Sequence, residues 1–195
     1  MNETRMIELL NGLTPNEGIF RDIVDRVNLF RISKSSPRSP QSYEPGIIIL
    51  ARGQKRIYIG DDVLTYDPLH YLVLSVPLPL ECETTASPEE PMLGLSIKVD
   101  AAIVGEILLA SDNIPCHNNV LPKGIFAEAL DEPLVDAVIR LLEACTSPAD
   151  KRFLGPMIVR EIIYRVLKGE KGEALRAFAF RNQRFFQIAH VLDII

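Results

Sequence analysis

The apolar residues of this chain change their spacing near Asp100, and that change limits the fold more than any other feature. Before it they recur at alternate positions, and after it at every third or fourth. A period of two suits a strand with one buried face, whereas a period near 3.6 suits a helix with an apolar stripe. Elements of the two kinds, segregated along the chain, predict an α+β fold in which helices pack on an antiparallel β unit.

After a short N-terminal helix, Arg26 to Ile32 alternates polar and apolar residues, which predicts a half-buried strand. Ser33 to Pro45, rich in Ser and Pro, reads as a surface loop. Ile47 to Ala51 is apolar on both faces and predicts a central strand. Lys55 to Ile59 follows after Gly53 at hairpin spacing, Gly60-Asp61-Asp62 reads as a turn, and Tyr71 to Val76 as a strand stopped by Pro77 and Pro79. Leu93, Leu95, Ile97 and Val99 alternate with Gly94, Ser96 and Lys98, giving one buried and one exposed face. Short strands between Gly, Pro and Asp turns indicate a small barrel or sandwich, and closure into a barrel removes exposed edges.

Leu134, Val135, Val138, Leu141, Leu142 and Cys145 form a helical stripe beginning near Glu132-Pro133. Ser147 to Asp150 ends that helix and opens another, whose apolar face is Phe153, Leu154, Met157, Ile158, Ile162, Val166 and Leu167, closed by Gly169. A last helix carries Phe185, Ile188, Ala189, Leu192 and Ile195. Its stripe reaches the final residue without a cap, which is expected of a chain cut from a longer protein.

The residues needed for catalysis do not assemble in the sequence. The three histidines, His70, His117 and His190, lack a second ligand at helical spacing, and Cys82, Cys116 and Cys145 fit neither a disulfide framework nor a zinc pattern. No Gly-rich phosphate loop or Gly-x-Ser-x-Gly occurs. These features favour binding over catalysis, with no metal or cofactor. The net charge of -5 disfavours a direct grip on DNA, although residues 151–184 hold nine basic side chains against three acidic ones. The polar N-terminus lacks a secretory signal and no apolar run is long enough to span a bilayer, so the expected location is the cytoplasm, away from membranes.

Several stretches, in order, resemble the N-terminal domain of AraC/XylS-type transcription regulators. They are Tyr43 to Lys55, with Pro45, an apolar strand and Gly53-Gln54-Lys55; Gly60-Asp61; Tyr66-Asp67-Pro68; Tyr71 to Pro79; and Ala86 to Pro91. In the helical half they are Arg140-Leu141-Leu142, Leu154-Gly155-Pro156, Arg160 to Leu167 and Gly172 to Arg176. The resemblance implies a cupin-like β-barrel of jelly-roll type that holds a small effector, followed by a helical dimerisation region. It also implies a helix-turn-helix domain beyond the last helix, through which alone DNA would be bound. The expected divisions are 1–100 for the barrel, 101–180 for the helical region and 181–195 for a linker helix. Metal-binding cupins carry a His-x-His with a downstream Glu and His, which this chain lacks, so an unmetallated barrel is expected.

The candidate ligand-binding residues are Tyr58, Tyr66, Tyr71, Ser75 and Cys82, polar or amphipathic groups on or beside barrel strands. The expected partners are an unidentified small-molecule effector and a second copy of the chain, the latter contacted through the helical stripe of 134–145 or of 153–167. Two other readings stay open: a stand-alone cupin-type binding protein or enzyme, and a purely structural dimerisation module with a closed barrel.

Overall fold

A computed structural model describes residues 2–68, 70–111, 124–169 and 172–179. The element order is α1 (Asn2–Leu13), β1 (Gly18–Val24), β2 (Val27–Ile32), β3 (Ser36–Tyr43), β4 (Gly46–Arg52), β5 (Gln54–Ile59), β6 (Asp62–Tyr66), β7 (His70–Leu74), β8 (Leu78–Thr85) and β9 (Met92–Lys98). Then come α2 (Ala101–Leu109), β10 (Ile125–Ala129), α3 (Glu132–Ala144), α4 (Pro148–Phe153) and α5 (Gly155–Lys168). The last expected helix, Phe185 to Ile195, lies outside the described residues, as do Cys116, His117 and His190.

Two antiparallel sheets face one another as a flattened, cupin-like barrel. One has six strands in the order β1-β2-β9-β4-β7-β10, the other four in the order β3-β8-β5-β6. The alternation along the central strands decides which side chain goes where. Ile47 and Ile49 on β4, Tyr71 and Val73 on β7, and Leu93, Leu95 and Ile97 on β9 face the helices. Ile48 and Leu50, Leu72 and Leu74, and Met92 face the second sheet, where Ile57, Tyr66, Leu80 and Cys82 meet them. The six-stranded sheet is therefore buried on both sides, which explains the unbroken apolar run of β4.

On the outer side α1, α3 and α5 close the helical core. Asp100 caps α2, accepting from the amides of Ala102 and Ile103, and Asp131 caps α3, accepting from Leu134. Glu161 on α5 accepts from Arg140 on α3 at 2.8 Å and from Arg165 one turn on at 2.7 Å, tying the two helices together. Cys145 is half-buried at the end of α3, and burial pushes its thiol up to about 11, against the pull of Lys151.

Four departures from the sequence reading have physical reasons. The stretch read as a loop, Ser33 to Pro45, contains strand β3, which pairs with β8 through a register shift between Ser36 and Ser39. Prolines lack an amide donor and are tolerated there because β3 is an edge strand with a bulge. Pro79 does not end the β structure but lies within β8, which also carries Cys82. Strand β10 falls in the part expected to be helical and extends the large sheet beside β7. The single helix expected to open at Ser147 to Asp150 and run to Gly169 is split at Leu154-Gly155-Pro156, where proline cannot donate to the preceding turn. Phe153, Leu154 and Met157, read as part of the apolar face, are consequently exposed by 68%, 46% and 68%.

Candidate functional site

The two sheets do not close completely on one another. Between β2, β4 and β9 on one side and β3, β5, β6 and β8 on the other lies a cavity of about 680 Å³. Its large-sheet wall is Phe30, Ile48, Met92, Asn28 and Ser96, and its small-sheet wall is Tyr43, Gln41, Lys55, Tyr66 and Thr84. Ile19, Arg21, Lys34, Glu44 and Lys98 also line it. This size and mixture, apolar walls with a few convergent polar groups, suit a small organic ligand.

Two glycines shape the wall. A Cβ on Gly94 would meet the Ile49 carbonyl at 2.4 Å and the Phe30 ring at 2.6 Å, so the ring lies against β9 only because no side chain stands there. Gly53, at φ +94°, turns β4 into β5 and lets Met92 approach to where its Cβ would be. Two residues before Phe30 on β2, Asn28 accepts from the Asp22 amide at 3.0 Å and donates to the Ser96 hydroxyl at 3.4 Å.

The most unusual group is Lys55. It is only 7% exposed, yet it lines the cavity. Its Nζ donates to Gln41 Oε1 at 2.8 Å, and the Tyr43 hydroxyl donates to the same oxygen at 3.0 Å. The ammonium also lies 5.1 Å from the centroid of the Tyr43 ring. Among the described residues it has no carboxylate partner, since Glu44 is paired with Lys98 at 3.0 Å. Burial lowers the Lys55 pKa from its ordinary value, and burial raises the phenols of Tyr43 and Tyr66 above theirs.

Of the five residues expected from the sequence, Tyr66 reaches the cavity wall and Cys82 is fully buried in the same core cluster. The other three lie elsewhere. Tyr58 sits on the outer side of the small sheet, donating to Glu83 at 2.7 Å with the Arg38 guanidinium 4.2 Å from its ring. Tyr71 points into the helical core and donates to Glu128 at 2.8 Å. Ser75 is buried at the end of β7, its hydroxyl 3.4 Å from the Gly124 carbonyl. Sequence reasoning missed Lys55, Gln41 and Tyr43. The available signal was parity: on β5, Lys55 shares a face with Ile57, two residues on, which places it inside.

His70 Nδ1 lies 2.9 Å from Asp67 Oδ1. Among the described residues no group of three or more His, Cys, Asp or Glu side chains could hold a metal ion, and no helix is long and apolar enough to cross a membrane.

Comparison with known proteins gives a family match. The family described as the AraC-type transcriptional regulator N-terminus matches residues 23–174. No curated protein sequence matches the chain. Among solved structures, an apo variant of ToxT from Vibrio cholerae aligns at a TM-score of 0.49 and 10% identity, covering 73% of this chain and 55% of that one. A second Vibrio cholerae ToxT structure aligns at 0.46 and 9%, covering 73% and 54%. The unsaturated fatty acid-bound wild-type ToxT aligns at 0.45 and 10%, also covering 73% and 54%. The chain thus spans about half the length of these structures.

Proposed function

Since the chain belongs to the family of AraC-type transcriptional regulator N-termini, we propose that it is the effector-sensing and dimerisation module of such a regulator. A small molecule binds between the two sheets and alters the helices that would carry a helix-turn-helix domain. The observation that carries this reading is the cavity of about 680 Å³ with a buried lysine in its wall. The six-stranded sheet supplies a route for coupling, because Ile48 faces the cavity while its neighbours Ile47 and Ile49 pack in the helical core. A ligand that favours one placement of this sheet would bias the helices on its other face.

Homodimerisation belongs to the same proposal. The faces of α3 and α5 expected to pair are largely consumed inside the helical core. The exposed apolar group Phe153, Leu154 and Met157 at the α4–α5 junction supports placing the contact there instead. Action on DNA through a further domain, and a cytoplasmic location, complete the reading.

A thermal-shift screen of small metabolites against the wild-type chain and Ser96→Trp tests it. The indole would fill the cavity from β9. Compounds that raise the melting temperature of the wild type and leave Ser96→Trp unmoved support the cavity as the effector site. Compounds that act equally on both contradict it.

A further inference from the structure

We propose that the cavity selects an organic anion, a carboxylate on an apolar body, and that Lys55 is the counter-ion that fixes its head group. The proposal rests on the reading of the cavity as the effector site. Four cationic side chains line it, Arg21, Lys34, Lys55 and Lys98, against the single carboxylate Glu44, which Lys98 already occupies. The rim charges are solvated and serve mainly to attract an anion. Lys55 differs because it is 7% exposed and the groups around it, Gln41, Tyr43, Tyr66, Cys82 and Thr84, bring no negative partner. A buried ammonium compensated only by an amide oxygen and an aromatic face is a costly arrangement. An apolar side chain of similar length would fill the same space without that cost.

An arriving carboxylate would supply the missing charge in a place shielded from water, where a charge-assisted hydrogen bond is strongest. Phe30, Ile48 and Met92 on the facing wall would receive the apolar body. Lys55 thus acts as a specificity-determining residue: a neutral isostere meets the same walls but leaves the ammonium unpaired, and a cation is repelled.

The test uses the full chain and commercial probes: decanoate and 2-naphthoate, their primary amides, and decylamine, followed by titration calorimetry. For the wild type, at least one carboxylate should bind at least about 30-fold more tightly than its amide, and decylamine should not compete. Lys55→Met should bring carboxylate affinity down to that of the amide while raising the melting temperature of the unliganded protein by a few degrees. Amides that match both carboxylates on the wild type overturn the proposal without recourse to any variant. Absence of carboxylate binding below about 1 mM does the same. Ser96→Trp separates the two layers of the claim. If it retains carboxylate binding, the cavity is not the site; if it abolishes binding while Lys55→Met keeps the wild-type preference for carboxylate over amide, the cavity stands and charge selection falls.

Discussion

The charge on Lys55 makes a pH dependence that differs in sign from that of an ordinary surface lysine. Burial lowers its folded-state pKa, so the unfolded chain holds the proton more tightly than the folded one. The cost of burying the ammonium is fully present below the folded pKa and disappears as pH rises through it toward the unfolded value of about 10.4. The phenols of Tyr43 and Tyr66 that face it are held neutral by burial, and the wild type and Lys55→Met share the Cys82 thiol. Chemical denaturation of the wild type and Lys55→Met at pH 7 and pH 9.5 should therefore show the stability gap in favour of Lys55→Met narrowing at the higher pH. A gap that widens would mean that Lys55 is stabilised in place. Glu161 shows the opposite pattern. Arg140 foremost, opposed by burial and helped by Arg165, holds its carboxyl below the usual carboxylate range. That contribution is present above about pH 4.3 and is lost as pH falls through the folded value. Glu161→Gln should cost about 1 kcal/mol at neutral pH, with the difference from wild type fading in acid.

Single elements carry the next set of consequences. Strand β9 lies close against β2 and β4 at Gly94, where the Phe30 ring occupies the space of a side chain. Gly94→Ala should therefore displace that ring from the cavity wall and cost about 1 to 3 kcal/mol, read as a lower melting temperature together with a loss of ligand response. The α4–α5 break leaves Phe153 and Met157 each 68% exposed. The double substitution Phe153→Glu with Met157→Glu should turn a dimer into a monomer by light scattering, with the melting temperature nearly unchanged; an unaltered mass would place the interface elsewhere. The same break marks a limit of sequence reading. The apolar residues from Phe153 to Leu167 continue at helical spacing, but Pro156 interrupts the backbone ladder, and spacing alone does not show that the first turn then points outward. Strand β3 was hidden for a related reason: its Ser and Pro composition matches a loop, and only pairing with β8 makes it a strand.

At the scale of the molecule, the two periods in the sequence map onto a two-sided arrangement. Ile47 to Ala51 reads as a central strand apolar on both faces, and in the structure Ile47 and Ile49 enter one core and Ile48 and Leu50 the other. The helical stripe of α3 was equally legible, through Leu134, Val138, Leu141 and Leu142. The site was less so, because a cavity depends on which strands face one another, and strand order is not local information. Tyr66, named because an amphipathic ring on a barrel strand is a general candidate, lines the cavity; Lys55 was passed over because lysine is usually solvated. In the proposed function the effector enters between the sheets. The chain offers a direct way to observe this, since its four methionines include Met92 in the cavity wall, Met6 in the helical core and Met157 on the exposed surface of α5. In methyl-labelled methionine spectra titrated with decanoate, the Met92 signal should shift in step with binding while Met157 stays in place. A shift at Met157 with Met92 unmoved would contradict it.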